Sequence, residues 1–316
     1  MQYKKLGNTG ISVSTISLGT VSLGVDYGIE IPGNFGRPEN LEVIRLLSEA
    51  ADAGITLFDT APNYGTSEMC IGEALSDRSE CYIATKISIP YAPGGRELLK
   101  GVDLSASVET SLENSLKNLQ RDTLDIVQIH NATVPVIRNG TLTEHLIKAK
   151  EEGRVRLIGA SVYTEEEALA VIQAGCFDVV QVAYSLLDQR MADRVFPSAK
   201  SAGVGIITRS ALLKGILTCK SEWLPPELSP LKSAATVSRD ILAGGRWENL
   251  PQMAIRFCMS SSDVGSVLVG IRTKDELQDA LAVAEAGPLP VPLMQEAKRL
   301  ALQDGVLLNP SNWPVK

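Results

Sequence analysis

Asp59, Tyr64, Lys86 and His130 are the residues of this chain whose types and positions suggest chemistry. Tyr64 follows Asp59 by five residues in LFDTAPNYGTSE (57–68), where an apolar run gives way to Pro62, Asn63 and Gly65. A phenol has an ordinary pKa of about 10 and is a poor acid at neutral pH unless a cation stabilises the phenolate. Lys86 can supply that cation, and Asp59 can hold Lys86 in place and charged. Tyr64 can then give a proton to a carbonyl oxygen gaining negative charge, with His130 hydrogen-bonded to the same oxygen. Each residue also has a plainer reading: turn cap, packing tyrosine, solvated strand end, satisfied core histidine. What favours the chemical reading is that the four would have to meet at one place. The other histidine, His145, falls early in a polar helical stretch and reads as surface.

Whether they meet depends on the elements that carry them. Eight short apolar runs stand out: STISLGT (14–20), ITLFDT (55–60), CYIATK (81–86), LDIVQIH (124–130), VRLIGAS (155–161), DVVQVAY (178–184), GIITRS (205–210) and SVLVG (266–270). Nearly continuous Val, Ile and Leu is the pattern of strands covered on both faces, as in parallel sheets. Helical patterns lie between them. NLEVIRLLSEAADAG (40–54) stops at Gly54, SASVETSLENSLKNL (105–119) begins with the candidate cap Ser105, and TEHLIKAKEEG covers 143–153. TEEEALAVIQAG (164–175) opens with the cap Thr164 and three glutamates that complement the helix dipole. Further helices are predicted near 189–202, 231–243, 249–259, 274–286 and 291–304.

Eight strands alternating with helices predict a single (β/α)8 TIM barrel over residues 1–316, with extra C-terminal helices. The alternative, a doubly wound open sheet, calls for a GxGxxG turn after the first strand, and SLGTVSLG does not match it. Residues 1–13 predict an N-terminal β-hairpin at the barrel floor. On such a barrel Asp59, Lys86 and His130 end the second, third and fourth strands, and Tyr64 sits in the loop beyond Asp59. Strand C-termini converge on one rim, so the four become neighbours. No nucleophile elbow, metal-ligand cluster or Walker loop occurs elsewhere. An acid without a covalent nucleophile suits hydride transfer, the hydride coming from a cofactor.

The bulk properties narrow the class. The 316 residues are 44% hydrophobic, ample for a large core. A net charge of −7 argues against a nucleic-acid surface or a basic membrane patch. No apolar run reaches about 18 residues, and MQYKKLGNTG lacks the apolar stretch of a signal peptide. The five cysteines, Cys70, Cys81, Cys176, Cys219 and Cys258, form no CxxC and read as reduced, mostly buried thiols. A cytoplasmic protein is expected. The oligomeric state is not legible.

The ordered series KLGNTGISVS, SLGTVSLG, FDTAPNYG, ATK, QIHN, GAS, VVQVAYSLLDQR, RSALLKGILT and VLVGIRTKDEL resembles the aldo-keto reductases along the whole chain. The resemblance implies an NAD(P)H-dependent carbonyl reductase, or an alcohol dehydrogenase in reverse, with the tetrad on Asp59, Tyr64, Lys86 and His130. It also implies cofactor contacts. Gly19 and Thr20 lie under the cofactor, together with Asp59. Ser161 and Gln181 hold the carboxamide, with Val162 where relatives often have Asn. Arg209 stands where many relatives place an aromatic residue. Ser210, Leu212 and Gly215 form a pyrophosphate strap, and Gly270, Arg272, Thr273 and Glu276 form the adenosine-phosphate segment. Arg272, with Lys274 nearby, favours NADP(H). Glu276 tempers this, because a carboxylate accepts ribose hydroxyls and repels a phosphate, so NAD(H) or dual use is the alternative. Candidate substrate contacts on the rim are Tyr27, Tyr91, Asn131, Trp223 and Trp313, with loop anchoring as the other reading for both tryptophans. Asn131, Arg138 and Asn139 can hydrogen-bond hydroxyl groups, which suggests a sugar-like or polyhydroxylated small-molecule carbonyl or alcohol substrate, with a steroid or simple aromatic aldehyde as the alternative. A redox-sensing, nicotinamide-binding regulatory subunit with little turnover is the competing function.

Overall fold

The computed structural model describes residues 1–316 except 34, 93, 96, 315 and 316. Eight parallel strands close into a barrel: β3 (Ile16–Gly19), β4 (Leu57–Asp59), β5 (Tyr82–Ser88), β6 (Leu124–His130), β7 (Val155–Val162), β8 (Val179–Ala183), β9 (Gly205–Arg209) and β10 (Ser266–Gly270). Each falls within one of the eight apolar runs or overruns it by one or two residues. Ahead of them β1 (Tyr3–Lys5) and β2 (Ser12–Ser14) form an antiparallel hairpin. Leu6, Ile11 and Val13 of that hairpin share a core cluster with Leu57, Ala84, Ile126, Leu157, Val179, Ile207 and Leu268, one from nearly every barrel strand. The hairpin therefore plugs the barrel floor.

The pleat then sets the site. Side chains alternate between faces of a strand with a period of two. Two residues beyond the apolar floor tier, the inward positions carry Asp59, Lys86, Gln128, Gly159 and Gln181. Two further on come Ser88, His130 and Ser161. The register agrees: Lys86 pairs with Gln128, Gln128 with Gly159, and Ser161 with Gln181. An apolar floor thus supports a polar tier that faces the C-terminal mouth.

The helices match the sequence pattern with shifted ends. Asn40–Asp52, Thr141–Glu151, Glu165–Gln173 and Lys274–Ala286 sit where expected. Thr164 caps its helix as read, its hydroxyl accepting from Glu167 N–H at 3.2 Å. The helix expected to start at Ser105 runs from Gly101 to Leu119, so Ser105 lies inside its second turn. Those expected from 189 and to 304 are shorter, Val195–Ala202 and Val291–Lys298. Ser67–Leu75, between β4 and β5, is a further helix beyond those the sequence pattern predicts. Ser229–Leu242 and Leu250–Met259 lie between β9 and β10. None of the helices among the described residues is long and apolar enough to cross a membrane. Cys70, Cys81 and Cys258 are buried, Cys176 is half-buried and Cys219 exposed, all as free thiols.

Candidate active site

The loop after β4 has to bring Tyr64 back over the mouth. Thr20 fixes its start: both its N–H and its hydroxyl donate to Asp59 O, each at 2.9 Å. Tyr64 N–H then closes a turn on Ala61 O at 3.0 Å. Gly65 has φ +57°, and a Cβ there would stand 2.2 Å from Gly24 O. A Cβ on Gly24 would in turn stand 1.7 Å from Tyr64 O. The two glycines let the Tyr64 loop lie directly on the segment after β3.

The four residues come together. Lys86 Nζ donates to Asp59 Oδ1 at 2.6 Å and to Thr60 O at 2.8 Å, and lies 4.9 Å from the centroid of the Tyr64 ring. The Tyr64 and His130 rings meet edge-on with centroids 5.9 Å apart. Asp59 and Lys86 are buried, Tyr64 and His130 half-buried towards the mouth. Burial, the largest single influence, pushes the Lys86 ammonium down, but Asp59 and Tyr64 together outweigh it and the net shift is upward, so Lys86 is charged. Burial pushes the Tyr64 phenol up while Lys86 pulls it down, and burial wins. His130 is pushed down to about 3, first by burial and then by Lys86 and Arg209. Its imidazole is neutral at physiological pH and can orient an oxygen without being the proton source.

The other expected residues fall in three places. Around the mouth, Ser161 Oγ lies 3.5 Å from Gln181 Oε1, and Gln181 Nε2 donates to Asp59 Oδ2 at 2.7 Å. Arg209 stacks 4.2 Å over the Tyr163 ring and donates to Val162 O at 3.0 Å and Ser210 Oγ at 3.1 Å. Val162 therefore contributes its carbonyl to Arg209 from a buried position. The Tyr27 phenol, pushed up to about 12 by burial, feels Arg209, Tyr64 and Tyr163, which places it at the same mouth.

Beyond the mouth runs the strap. Ser210, Leu213 and Lys214 all have φ between +47° and +63°, a concentration of left-handed non-glycine residues in one short segment. Leu212 O accepts from Gly215 N–H at 2.9 Å, and Gly215 has φ +101°. The strap also brings Lys220, which sequence reading missed. Burial and Arg272 lower the Lys220 ammonium while Glu276 raises it, so these three side chains are neighbours. Gly270 ends β10, and Thr273 caps Lys274–Ala286 through Glu276 N–H at 3.2 Å. Glu276 Oε2 accepts the Arg272 backbone N–H at 2.6 Å, which commits that carboxylate oxygen to the helix start. Arg272 Nη1 donates to Gly36 O at 3.3 Å. Lys274 pairs with Glu49 at 3.2 Å.

The remaining expected residues have varied settings. Trp313 is buried with its indole N–H on Leu307 O at 2.7 Å, the anchoring alternative. Trp223 is exposed at the end of a 3-10 turn, and Tyr91 is bridged to Leu98 in the loop after β5. Asn131 is exposed beside His130 with φ +56°. Asn139 Oδ1 is taken by Thr141, and Arg138 lines a separate 480 Å³ cleft with Arg190 and Arg194. His145, expected at the surface, is half-buried. Among the described residues no group of three or more His, Cys, Asp or Glu could hold a metal ion.

The donor set fits a nicotinamide dinucleotide. Ser161 and Gln181 offer a hydroxyl and an amide side by side. Ser22 Oγ is buried without a partner, 3.7 Å from where a Cβ on Gly270 would stand. The capped helix start with Arg272 and Lys220 suits an anion. The sequence profile of the Aldo/keto reductase family matches residues 15–300. The chain belongs to the aldo-keto reductase family. As a member of that oxidoreductase family it is 30% identical over 303 residues to L-galactose dehydrogenase of Arabidopsis thaliana, covering 89% of this chain and 88% of that protein. It is 27% identical over 325 residues to NADH-specific methylglyoxal reductase of Escherichia coli (strain K12), covering 89% and 93%. Among solved structures, the holo form of an aldo-keto reductase from Bacillus halodurans matches with a TM-score of 0.78 over 96% of this chain and 97% of that one. At 24% identity that likeness speaks for the barrel alone.

Proposed function

We propose that this aldo-keto reductase reduces a small hydroxylated aldehyde or ketone, or oxidises the corresponding alcohol, with NADP(H) preferred and NAD(H) usable. The observation that carries the reading is the buried Lys86 ammonium, 2.6 Å from Asp59 Oδ1 and 4.9 Å from the Tyr64 ring, beside a neutral His130. A bound nicotinamide supplies or accepts the hydride. Every other step falls to the chain. Tyr64 gives its hydroxyl proton to the carbonyl oxygen as negative charge builds there. Lys86 stabilises the phenolate left behind, and Asp59 keeps Lys86 charged and fixed. The neutral imidazole of His130 donates to the same oxygen and aims the carbonyl. Positioned acid catalysis of this kind supplies roughly 10²–10⁴ in rate.

Two observations support the finer assignments. One Glu276 oxygen is spent on the Arg272 N–H, while Arg272 and Lys220 lie together, so cations dominate where a 2′-phosphate would bind. Asn131 leaves the strand beside His130, and Tyr27 offers a phenol at the mouth, groups that suit a hydroxylated substrate. The test is a panel of aldoses, DL-glyceraldehyde, methylglyoxal and benzaldehyde with NADPH and with NADH, followed by cofactor absorbance. Turnover of hydroxylated aldehydes with NADPH ahead of NADH is expected. Tight cofactor binding with no turnover on any member of the panel would contradict the reading.

A further inference from the structure

One polar residue in the inward tier has no part in the chemistry above. Gln128 is fully buried in β6, an amide in the otherwise apolar stretch LDIVQI (124–129) apart from its half-buried Asp125. Its Nε2 donates to Asp59 Oδ2 at 3.3 Å, the oxygen that also receives Gln181 Nε2 at 2.7 Å. Lys86 Nζ meets the other oxygen, Oδ1, at 2.6 Å. Because an ionised carboxylate only accepts, it is the nitrogen of Gln128 that must face it.

The barrel makes room for this side chain. Gln128 pairs with Gly159 across β6 and β7, and a Cβ on Gly159 would stand 2.7 Å from Val179 O and 3.3 Å from Gln128 Cγ. The amide is also held at a penalty, since Gln128 Oε1 is buried with no hydrogen-bond partner. Leaving such an acceptor unsatisfied is destabilising, a penalty that an apolar side chain of the same shape would avoid. A core residue selected for packing alone has no reason to be Gln.

We propose that Gln128 is a positioning residue for proton transfer, its buried amide N–H fixing the Asp59 carboxylate through Oδ2 so that Oδ1 alone meets Lys86. The proposal rests on the acid role of Tyr64 proposed above. Its physical content is a division of the carboxylate's charge. With Oδ2 held by Gln128 and Gln181, the Lys86 ammonium keeps more of its field for the phenol. Without Gln128 the carboxylate is freer to turn both oxygens to Lys86, which cancels more of that charge and makes Tyr64 a weaker acid. The charged and titratable groups that face the phenol are Lys86 on β5, Asp59 on β4, His130 on β6, Arg209 on β9 and Tyr27 from the segment after β3. Replacing Gln128 directly alters only the hold on Asp59.

The experiment compares the unmodified protein with Gln128→Met and Tyr64→Phe, using DL-glyceraldehyde and NADPH. Gln128→Met keeps side-chain volume and length while removing the donor. It is expected to keep the far-UV spectrum and an NADPH Kd within about threefold. Its kcat should fall about tenfold with KM changed less, the scale at which groups one step removed from a reacting centre act. The alkaline limb of its kcat profile, where Tyr64 loses its proton, should move up by about 0.5–1 pH unit. An unchanged kcat and an unchanged limb overturn the proposal. If Gln128→Met does not fold, Gln128→Glu serves, because two carboxyl groups at this separation must share a proton. Its rate should then fall as pH rises through a new ionisation, and a profile superimposable on that of the unmodified protein overturns the proposal. Full turnover by Tyr64→Phe overturns both the acid reading and this one. Loss of turnover in Tyr64→Phe with an unaltered Gln128→Met overturns the positioning role alone.

Discussion

His130 stays neutral in the folded chain down to about pH 3, against an ordinary value of 6.5, because burial and two nearby cations disfavour its charged form. Above pH 6.5 folded and unfolded states are both neutral and the residue has no effect on stability with pH. Below it the unfolded chain takes up a proton that the folded chain refuses, so stability is lost as pH falls towards 3. Replacing His130 by Gln should therefore reduce the loss of stability between pH 7 and pH 5 by about 1–2 kcal/mol, read by urea unfolding at the two pH values. An identical loss in both proteins would show that the imidazole titrates normally. The four groups proposed to react were legible in the sequence because each stands at a strand end or in the loop beyond it. Gln128 was not, because an amide within an apolar run carries no signal of its own. Only the inward register shared with Lys86 gives that residue meaning. Lys220 was missed for a related reason: a lysine in a loop reads as solvated until the fold lays the strap beside Arg272.

Among the elements, the strands were legible because barrel strands are apolar on both faces and end at polar residues. The hairpin was legible from YKKLGNTGISV, but not the depth to which Leu6 enters the barrel, which depends on contacts with seven strands distant in sequence. Truncating the fully buried Leu6 to Ala should destabilise the protein by about 2–5 kcal/mol, measured by chemical unfolding. A loss near zero would mean that the floor closes without the plug. Helix starts were less legible. Ser105 looked like a cap, yet the chain turns into the helix at Gly101 with Lys100 before it and no side-chain cap, so tertiary packing rather than local capping sets that boundary. Gly65 belongs at this scale too. Gly65→Ala forces a Cβ to within 2.2 Å of Gly24 O at φ +57°, so the Tyr64 loop must lift. Turnover should fall by at least tenfold while the barrel's far-UV signature stays, and an unchanged kcat would show that the loop does not depend on this contact.

For the whole molecule, a net charge of −7 coexists with Lys86, Arg209, Lys214, Lys220 and Arg272 arranged from the barrel mouth to the start of Lys274–Ala286. A cation-bearing path on an acidic body would draw a polyanionic cofactor to one face, as the proposed function requires. Arg272→Ala should weaken NADPH binding about tenfold and leave NADH binding nearly unchanged, read by fluorescence titration, with the NADPH affinity falling as salt is raised. Equal losses for the two cofactors would assign Arg272 to the part they share. The NADH-specific relative in Escherichia coli makes that comparison informative in either direction.

Tyr64 is the proposed proton donor on which turnover depends. The most direct test is Tyr64→Phe, measured for turnover of DL-glyceraldehyde and for NADPH binding in the same preparation. A fall in kcat/KM of roughly 10²–10⁴ with the cofactor Kd nearly unchanged is the expected result, and turnover equal to that of the unmodified protein would contradict it.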